Sequence, residues 1–214
     1  MKLNFDEKEL TSEKSLWDIY VLSRKIKLSK FSEIFMSLSI MLISIRSLFV
    51  DSSILLNEVR KWSEIGFNSS ISTLGFLITG FAIFATLTKP KMFLILMDHK
   101  HKKTDLPYLK YNLFCFVKVF IYYIFFTFLY LSVILFGGKD GLFENFIVVI
   151  SFDEIFPLKD FLIKAINTII ASSMLLLLLQ LKTFIFNIYS IVMNNLRWEY
   201  RQCLLEEKEK NNPT

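Results

Sequence analysis

Acidic residues are missing from four long apolar blocks of this chain. The blocks cover residues 34–50, 71–88, 113–136 and 161–181. Each can supply the ~17–25 mostly apolar residues that a helix needs to cross a bilayer core of about 30 Å. A buried carboxylate would be costly in lipid, so its absence favours membrane-spanning helices. The sequence therefore predicts an integral membrane protein with four spans.

Glycine and cysteine are also scarce, with six and two residues among 214, against 23 phenylalanines. The hydrophobic content of 53% exceeds what a soluble domain of this length usually carries. Cys115 lies in the third block and Cys203 in the tail, so the two should differ widely in depth. This separation disfavours a disulfide framework. We expect one membrane domain with two free thiols.

Sequence motifs of catalysis and nucleotide binding are absent, since no HExxH, GxSxG, Walker A loop or GxGxxG occurs. His99 and His101, the only histidines, lie in a lysine run that disfavours a bound cation, and other ligands with suitable spacing are missing. The blocks also lack the carboxylates of proton-coupled transporters. We therefore expect no catalytic residue, cofactor or metal site, and neither an enzyme nor a secondary transporter.

Lysine and arginine alternate along the chain in a way that predicts its topology. Seven precede the first span, six lie at 89–110 and four follow from Arg197, whereas the two remaining connections hold two each. Under the positive-inside rule both termini and the second connection are cytoplasmic, with 17 basic residues inside and 4 outside. The other four lie near span ends, where long side chains can snorkel; they are Arg46, Lys118, Lys164 and Lys182.

The expected fold class is all-α: a four-transmembrane-helix bundle with an amphipathic N-terminal helix and a long fourth helix protruding into the cytoplasm. The arm is 1–30, the membrane domain 31–205 and the polar tail 206–214. The domain comprises spans at 34–50, 69–88, 112–136 and 161–182, outer connections 51–68 and 137–160, and an inner connection 89–111. We interpret 51–68 as a short interfacial helix, or else as a continuation of the first span. The apolar but acidic connection 137–160 is interpreted as an outer cap.

The arm should form a helix from about Thr11, with Glu13 in its first turn and an apolar stripe reaching Ile26. A basic cluster follows, and the inner connection repeats it. Such clusters gain about 1 kcal/mol per charge from anionic lipid head groups. We interpret these clusters first as determinants of topology and as anchors to lipid. The alternative is that they dock an acidic cytosolic partner or nucleic acid. Of these two ligands, we expect no direct binding of nucleic acid. We call the set the inner basic surface: Arg24, Lys25, Lys27, Lys30, Lys100, Lys102 and Lys103.

Small residues recur on one face of the second span. In lipid, small side chains mark the face where helices approach closely. Three interpretations are open: packing within the monomer, a subunit interface of a homo-oligomer, or a hydroxyl-lined pore. We call this set the small-residue seam: Ser69, Ser72, Gly75, Thr79, Ala82 and Thr86.

The fourth span continues without a helix breaker. Residues 161–193 contain neither glycine nor proline, and as one helix they would be about 50 Å long. An apolar stripe continues past Lys182. We expect this stripe to pack against the N-terminal arm, with a neighbouring subunit or a soluble partner as alternatives. The residues predicted to face that partner are Ile185, Ile188, Val192 and Leu196.

The stretch GFLITGFAIFATL at 75–87, followed by Lys-Pro-Lys and a basic inner connection, resembles the KwaA family of membrane subunits of the Kiwa anti-phage defence system. The resemblance extends to the four-span layout over most of the chain. It implies a homo-oligomer, such as a tetramer, that senses infection at the bacterial inner membrane. It also implies a DNA-binding cytosolic effector on the cytoplasmic face. We therefore expect a sensor or scaffold that recruits or regulates such an effector; the alternatives are a small oligomeric ion channel and a membrane-permeabilising effector.

Overall fold

The computed structural model describes residues 5–87, 90–101, 104–138, 141 and 156–211. All regular elements in these ranges are helices, so the predicted all-α class is confirmed. They are α1 (Glu7–Leu10), α2 (Leu16–Ser23), α3 (Lys30–Phe49), α4 (Ser52–Leu87), α5 (Pro90–Asp98), α6 (Tyr108–Phe136) and α7 (Phe156–Asn211). The predicted outer cap falls on 137–160, most of which lies outside the described residues.

Four helices are long and apolar enough to cross a membrane: α3, α4, α6 and α7. The burial pattern of α3 is inverted relative to that of a helix in a soluble protein. On α3, Ser32 and Ser47 are buried while Leu48 and Phe49 are exposed. Small polar groups between helices and apolar side chains outward are typical of helices in lipid. The chain is a multi-pass membrane protein.

Residues 52–68 are helical, but they form the first half of α4 rather than a separate helix or a continuation of α3. The break between the helices falls at Val50, whose backbone is extended. No proline interrupts Ser52–Leu87. Gly66 lies inside this helix at a close contact with α6. A Cβ at this position would lie only 2.8 Å from the Tyr130 ring, so a larger residue would clash there. The connection between α3 and α4 is therefore short, and α4 is longer than the predicted second span.

The N-terminal arm folds as two short helices, not as one helix from Thr11. Ser15 begins α2 with a capping box: its hydroxyl accepts from the Asp18 amide, and the Asp18 carboxylate accepts from the Ser15 amide. The hydrogen bond from the Ser15 side chain lowers the pKa of Asp18. Asp18 therefore takes the first-turn role predicted for Glu13, and Ile26 lies beyond the helix.

The chain forms two compact units. Unit 1 contains Met1–Ile26, Leu77–Val119 and Lys182–Thr214; unit 2 contains Lys27–Phe76 and Phe120–Leu181. The core of unit 1 is aromatic: the Phe116 ring lies 5.2 Å from Phe84 and 5.3 Å from Phe184, centroid to centroid.

Buried positions on α4, α6 and α7 recur at intervals of seven residues. A seven-residue repeat is typical of helices that cross at about 20° with interlocking side chains. The repeat places one face of each helix in the interior. On α4 this face includes two serines, which hydropathy alone would assign to the surface. The repeats are Ser63, Ser70, Leu77 and Phe84 on α4; Phe116, Tyr123 and Tyr130 on α6; and Ile163, Ile170, Leu177, Phe184 and Ile191 on α7.

Candidate interaction surfaces

The small-residue seam is exposed along its whole length. Ser69, Ser72 and Gly75 are exposed in unit 2, and Thr79, Ala82 and Thr86 are exposed in unit 1. The buried residues of α4 lie on the opposite side of the helix, given 3.6 residues per turn. Among the described residues, the buried side chains of α4 therefore belong to its seven-residue face and not to the seam, and the three interpretations of the seam stay predictions. The seam is therefore a candidate contact surface.

The glycines distinguish the two faces of α4. A Cβ at Gly75 would meet no heavy atom within 4 Å. At Gly80 it would lie 3.4 Å from atoms of Phe184 and Ile188, and at Gly66 it would meet a ring at 2.8 Å. Position 66 is thus small because the subunit interior requires it, whereas a Cβ at position 80 would make ordinary van der Waals contact inside the subunit. The space beside Gly75 is open.

The inner basic surface is exposed where the structure describes it. Arg24, Lys25 and Lys100 are exposed in unit 1, and Lys27 and Lys30 are exposed in unit 2. The Lys100 ammonium lies 3.7 Å from the Asp105 carboxylate, and both side chains are exposed, so the contact contributes little. Lys102 and Lys103, also predicted for this surface, lie outside the described residues.

The predicted partner-facing stripe lies mainly on the exposed side of α7. Ile185, Val192 and Leu196 are exposed, whereas Ile188 is partly buried towards Gly80. The expectation that the N-terminal arm covers this stripe is therefore wrong. The buried side chains of this segment belong to a neighbouring face of the same helix, and the arm is bonded to α6 instead.

Two lysines of α6 hold the N-terminal arm, a contact that the sequence did not reveal. The Lys110 ammonium donates to Ser12 Oγ at 2.6 Å and to Glu13 Oε1 at 2.8 Å. Two helical turns later, the Lys118 ammonium donates to the Ile26 carbonyl at 2.6 Å. Lys110 and Glu13 keep only 10% and 13% of their side chains exposed. Lys110 is thus not a free charge of the inner connection, and Lys118 bonds the arm rather than snorkelling.

Loss of the Lys110–Glu13 contact should release the arm. Glu13→Gln leaves a nearly buried ammonium without its countercharge, and removing one partner of a buried pair costs ~3–5 kcal/mol. Trypsin should then cleave after Arg24 or Lys25 roughly 100-fold faster or more than in the wild type, because each ~1.4 kcal/mol raises the population of the released arm tenfold. Glu9→Gln is the matched control, because Glu9 is exposed. Equal cleavage of both variants would show that the contact does not retain the arm.

Polar side chains join α7 to its neighbours inside unit 2. Tyr130 Oη and Ser173 Oγ lie 2.6 Å apart, and Tyr123 Oη donates to the Leu177 carbonyl at 2.9 Å. Asn167 Nδ2 donates to Ser47 Oγ on α3 at 3.1 Å. Interhelical hydrogen bonds of this kind average about 0.6 kcal/mol in membranes. These hydrogen bonds determine which faces of the helices are in contact, and we assign them a structural role rather than a catalytic one.

The histidines and cysteines are accounted for without a ligand. The His101 ring stacks on Tyr111 at 4.1 Å, and its Nδ1 lies 3.1 Å from Thr104 Oγ1. Among the residues that the structure describes, no group of three or more His, Cys, Asp or Glu side chains is placed to hold a metal ion. Cys115 is buried and Cys203 is exposed, and both are free thiols as predicted.

Comparisons with protein-family models, with curated proteins and with solved structures find no match to this chain. The class that the fold defines is an all-α, multi-pass membrane protein. Its function has to be inferred from the exposed seam, the inner basic surface and the apolar stripe of α7.

Proposed function

We propose that this chain is a homo-oligomeric sensor or scaffold of the bacterial inner membrane that recruits or regulates a DNA-binding cytosolic effector in anti-phage defence. The observation that carries the proposal is the length of α7, 56 residues in one helix. At 1.5 Å per residue this is about 84 Å, nearly three times a bilayer core of about 30 Å. Part of α7 therefore lies beyond the membrane.

The apolar stripe supports a docking role for that part of α7. Ile185, Val192 and Leu196 recur at helical spacing and are exposed. Side chains of this kind facing water are typical of a protein interaction site. An effector that buries them would be held at the membrane surface.

The small-residue seam supports self-association. Small side chains allow two helix backbones to approach closely, which is the main attraction between helices in lipid. The open space beside Gly75 is suited to such an approach. A second copy of the chain carries the same seam, so a symmetric contact through α4 would satisfy both copies at once.

The positive-inside distribution supports a cytoplasmic location for both ends and thus for the protruding end of α7. Exposed Arg24, Lys25 and Lys100 would favour an acidic partner or anionic lipid. The defence role is what the resemblance of 75–87 to the Kiwa membrane subunits implies.

Cys203 provides a test of this topology. It is exposed while Cys115 is buried, so an impermeant maleimide has one accessible thiol. The reagent should fail to label Cys203 in intact cells and should label it after lysis. A reporter fused after Thr214 should agree, because a bound partner could also shield the thiol. Labelling in intact cells together with an extracytoplasmic reporter would contradict the proposed topology.

Purification of the tagged chain from its host membranes tests the function itself. A DNA-binding protein should co-elute in stoichiometric amount. A channel is the second candidate, because the exposed hydroxyls of Ser69, Ser72 and Thr79 are suited to lining a central axis. Ion conductance by the purified chain in planar bilayers would favour the channel. Collapse of the membrane potential on expression of the chain alone would favour a permeabilising effector.

A further inference from the structure

Helix α2 of the N-terminal arm exposes large apolar side chains. Trp17 and Val21 keep 68% and 48% of their surface exposed, whereas Ser23 on the other side of the helix is buried. The Trp17 ring lies 5.3 Å from the Tyr20 ring, centroid to centroid, which orders it on the helix surface. Burial of apolar area is favourable, so this face is suited to a partly apolar neighbour.

Basic residues continue the same face. Arg24 follows Trp17 by seven residues and Val21 by three, so the three side chains lie on one side of the helix. Arg24 keeps helical backbone angles as the C-cap of α2, and both it and Lys25 are exposed. The carboxylate of Asp18, the acidic residue of α2, is engaged in the capping box. The exposed face of α2 therefore combines apolar side chains with two positive charges.

The hydrogen bonds to α6 determine the depth of the arm in the membrane. Glu13, just before α2, bonds Lys110, and Ile26, just after it, bonds Lys118. Because α6 begins at Tyr108, these lysines lie about 3 Å and about 15 Å along its axis. The 29 residues of α6 are about 43 Å long, which exceeds a bilayer core of about 30 Å by only ~13 Å.

The carboxyl end of α2 therefore lies close to the hydrocarbon boundary. Even if the whole excess length is at the start of α6, Lys118 is at the edge of the core, and a tilted α6 would leave a smaller excess. The Lys118 ammonium also lies 3.5 Å from the Ser23 carbonyl, so α2 ends within one lysine side chain of that edge. This level is the head-group zone, where tryptophan is enriched and long basic side chains reach the phosphates.

We propose that α2 binds the surface of an anionic phospholipid leaflet, with Trp17 and Val21 at the upper acyl chains and Arg24 and Lys25 on phosphate groups. Helices with an apolar face and basic residues bind such surfaces through buried apolar area and attraction to anionic lipid. Lipid, and not an acidic protein, is then the ligand of two residues of the inner basic surface. Only the crossing of the membrane by α6 is required, so the binding is independent of a role in defence.

Tryptophan fluorescence tests this location in the full chain. The chain has three tryptophans, so Trp62→Phe with Trp198→Phe leaves Trp17 as the probe. The protein is reconstituted into vesicles of phosphatidylcholine and phosphatidylglycerol, one of which carries bromine on its acyl chains. Bromine near the head group should quench Trp17 more strongly than bromine near the acyl terminus. At equal mole fraction, brominated phosphatidylglycerol should quench it more than brominated phosphatidylcholine.

Charge variants in this background test the preference for anionic lipid. Arg24→Gln with Lys25→Gln should abolish the excess quenching by phosphatidylglycerol, because each basic residue near anionic lipid contributes about fivefold. Lys8→Gln with Lys14→Gln is the matched control, since both lysines are exposed on the same arm but precede α2. This control removes the same charge and should retain the excess.

A nitroxide probe gives the same information with all tryptophans in place. In a Cys203→Ser background, Val21→Cys is labelled while Cys115 is protected by its burial. The nitroxide should collide more often with dissolved oxygen than with a water-soluble nickel complex. Glu9→Cys, at an exposed position of α1, should show the reverse. This measurement decides the question if the chain with two phenylalanine replacements fails to reconstitute.

Three results would overturn the proposal. The first is quenching of Trp17 no stronger than that of a soluble tryptophan amide in the same vesicle suspension, or a nitroxide at position 21 that favours the nickel complex. The second is equal quenching by the two brominated lipids, or a preference unchanged by Arg24→Gln with Lys25→Gln. The third is a chain purified with a bound soluble protein that shields Trp17 from lipid, which would assign this face to a protein partner.

Discussion

Gly75→Leu and Thr79→Leu should dissociate the proposed homo-oligomer in mild detergent while leaving the subunit folded. Both residues lie on the exposed face of α4, so an isobutyl group there obstructs a neighbouring copy and not the subunit interior. Overpacking of a close contact costs ~1–3 kcal/mol, which corresponds to a dissociation constant raised by roughly five- to 150-fold. Light scattering coupled to size-exclusion chromatography measures the mass.

Gly66→Leu and Gly80→Leu are the matched controls on the opposite face of the same helix. Each Cβ would approach side chains of its own subunit, Tyr130 in the first case and Phe184 in the second. These variants should lower the thermal stability of the subunit, with Gly66→Leu affected more because its contact is 2.8 Å. A native oligomer mass in folded Gly75→Leu and Thr79→Leu would place the subunit interface elsewhere.

The spans were predictable because lipid imposes a simple rule on composition. A span needs about 20 apolar residues whatever it packs against, so the four blocks identified α3, α4, α6 and α7. The rule does not determine where a helix ends beyond the bilayer. Consequently composition predicts either a short interfacial helix or a continuation of the first span at 51–68, whereas in the structure α4 runs unbroken from Ser52 to Leu87.

The contact faces were harder to predict because apolar or small residues surround these helices on several sides. On α4 the recurrence of small residues indicates the seam as a contact face, yet Ser63, Gly66 and Ser70 lie on the buried face. The signal for Ser63 and Ser70 is the seven-residue interval that they share with Leu77 and Phe84, not their polarity. Small residues indicate that something approaches closely, but they do not identify the neighbour.

The fourth span, α7, presents the same difficulty. Ile185 and Val192 each follow a buried residue, Phe184 and Ile191 respectively, and all four are apolar. Hydropathy periodicity cannot choose between two adjacent apolar faces. The Lys110–Glu13 contact was beyond prediction for another reason, since its partners are separated by 97 positions and no local pattern links them.

Recruitment of the proposed cytosolic partner should be lost when Ile185, Val192 and Leu196 are all changed to Asp. The three side chains are exposed in the subunit, so membrane insertion and oligomer mass should be unchanged. In an interface, each carboxylate would be buried without a partner, and residues central to binding contribute about 2 kcal/mol or more. Co-purification of the partner, and with it protection against phage, should therefore disappear.

Two single variants make this result interpretable. Asn194→Asp adds one carboxylate at an exposed polar position of the same helix and should leave recruitment intact, which separates loss of the stripe from added charge. Ile191→Asp places a carboxylate at a side chain that is only 4% exposed, so it should reduce the yield of folded protein. Retention of the partner by the triple variant, together with ion conductance by the purified wild type, would reject the scaffold in favour of the channel. Loss of the partner with a normal oligomer mass would instead place the docking site on the stripe of α7.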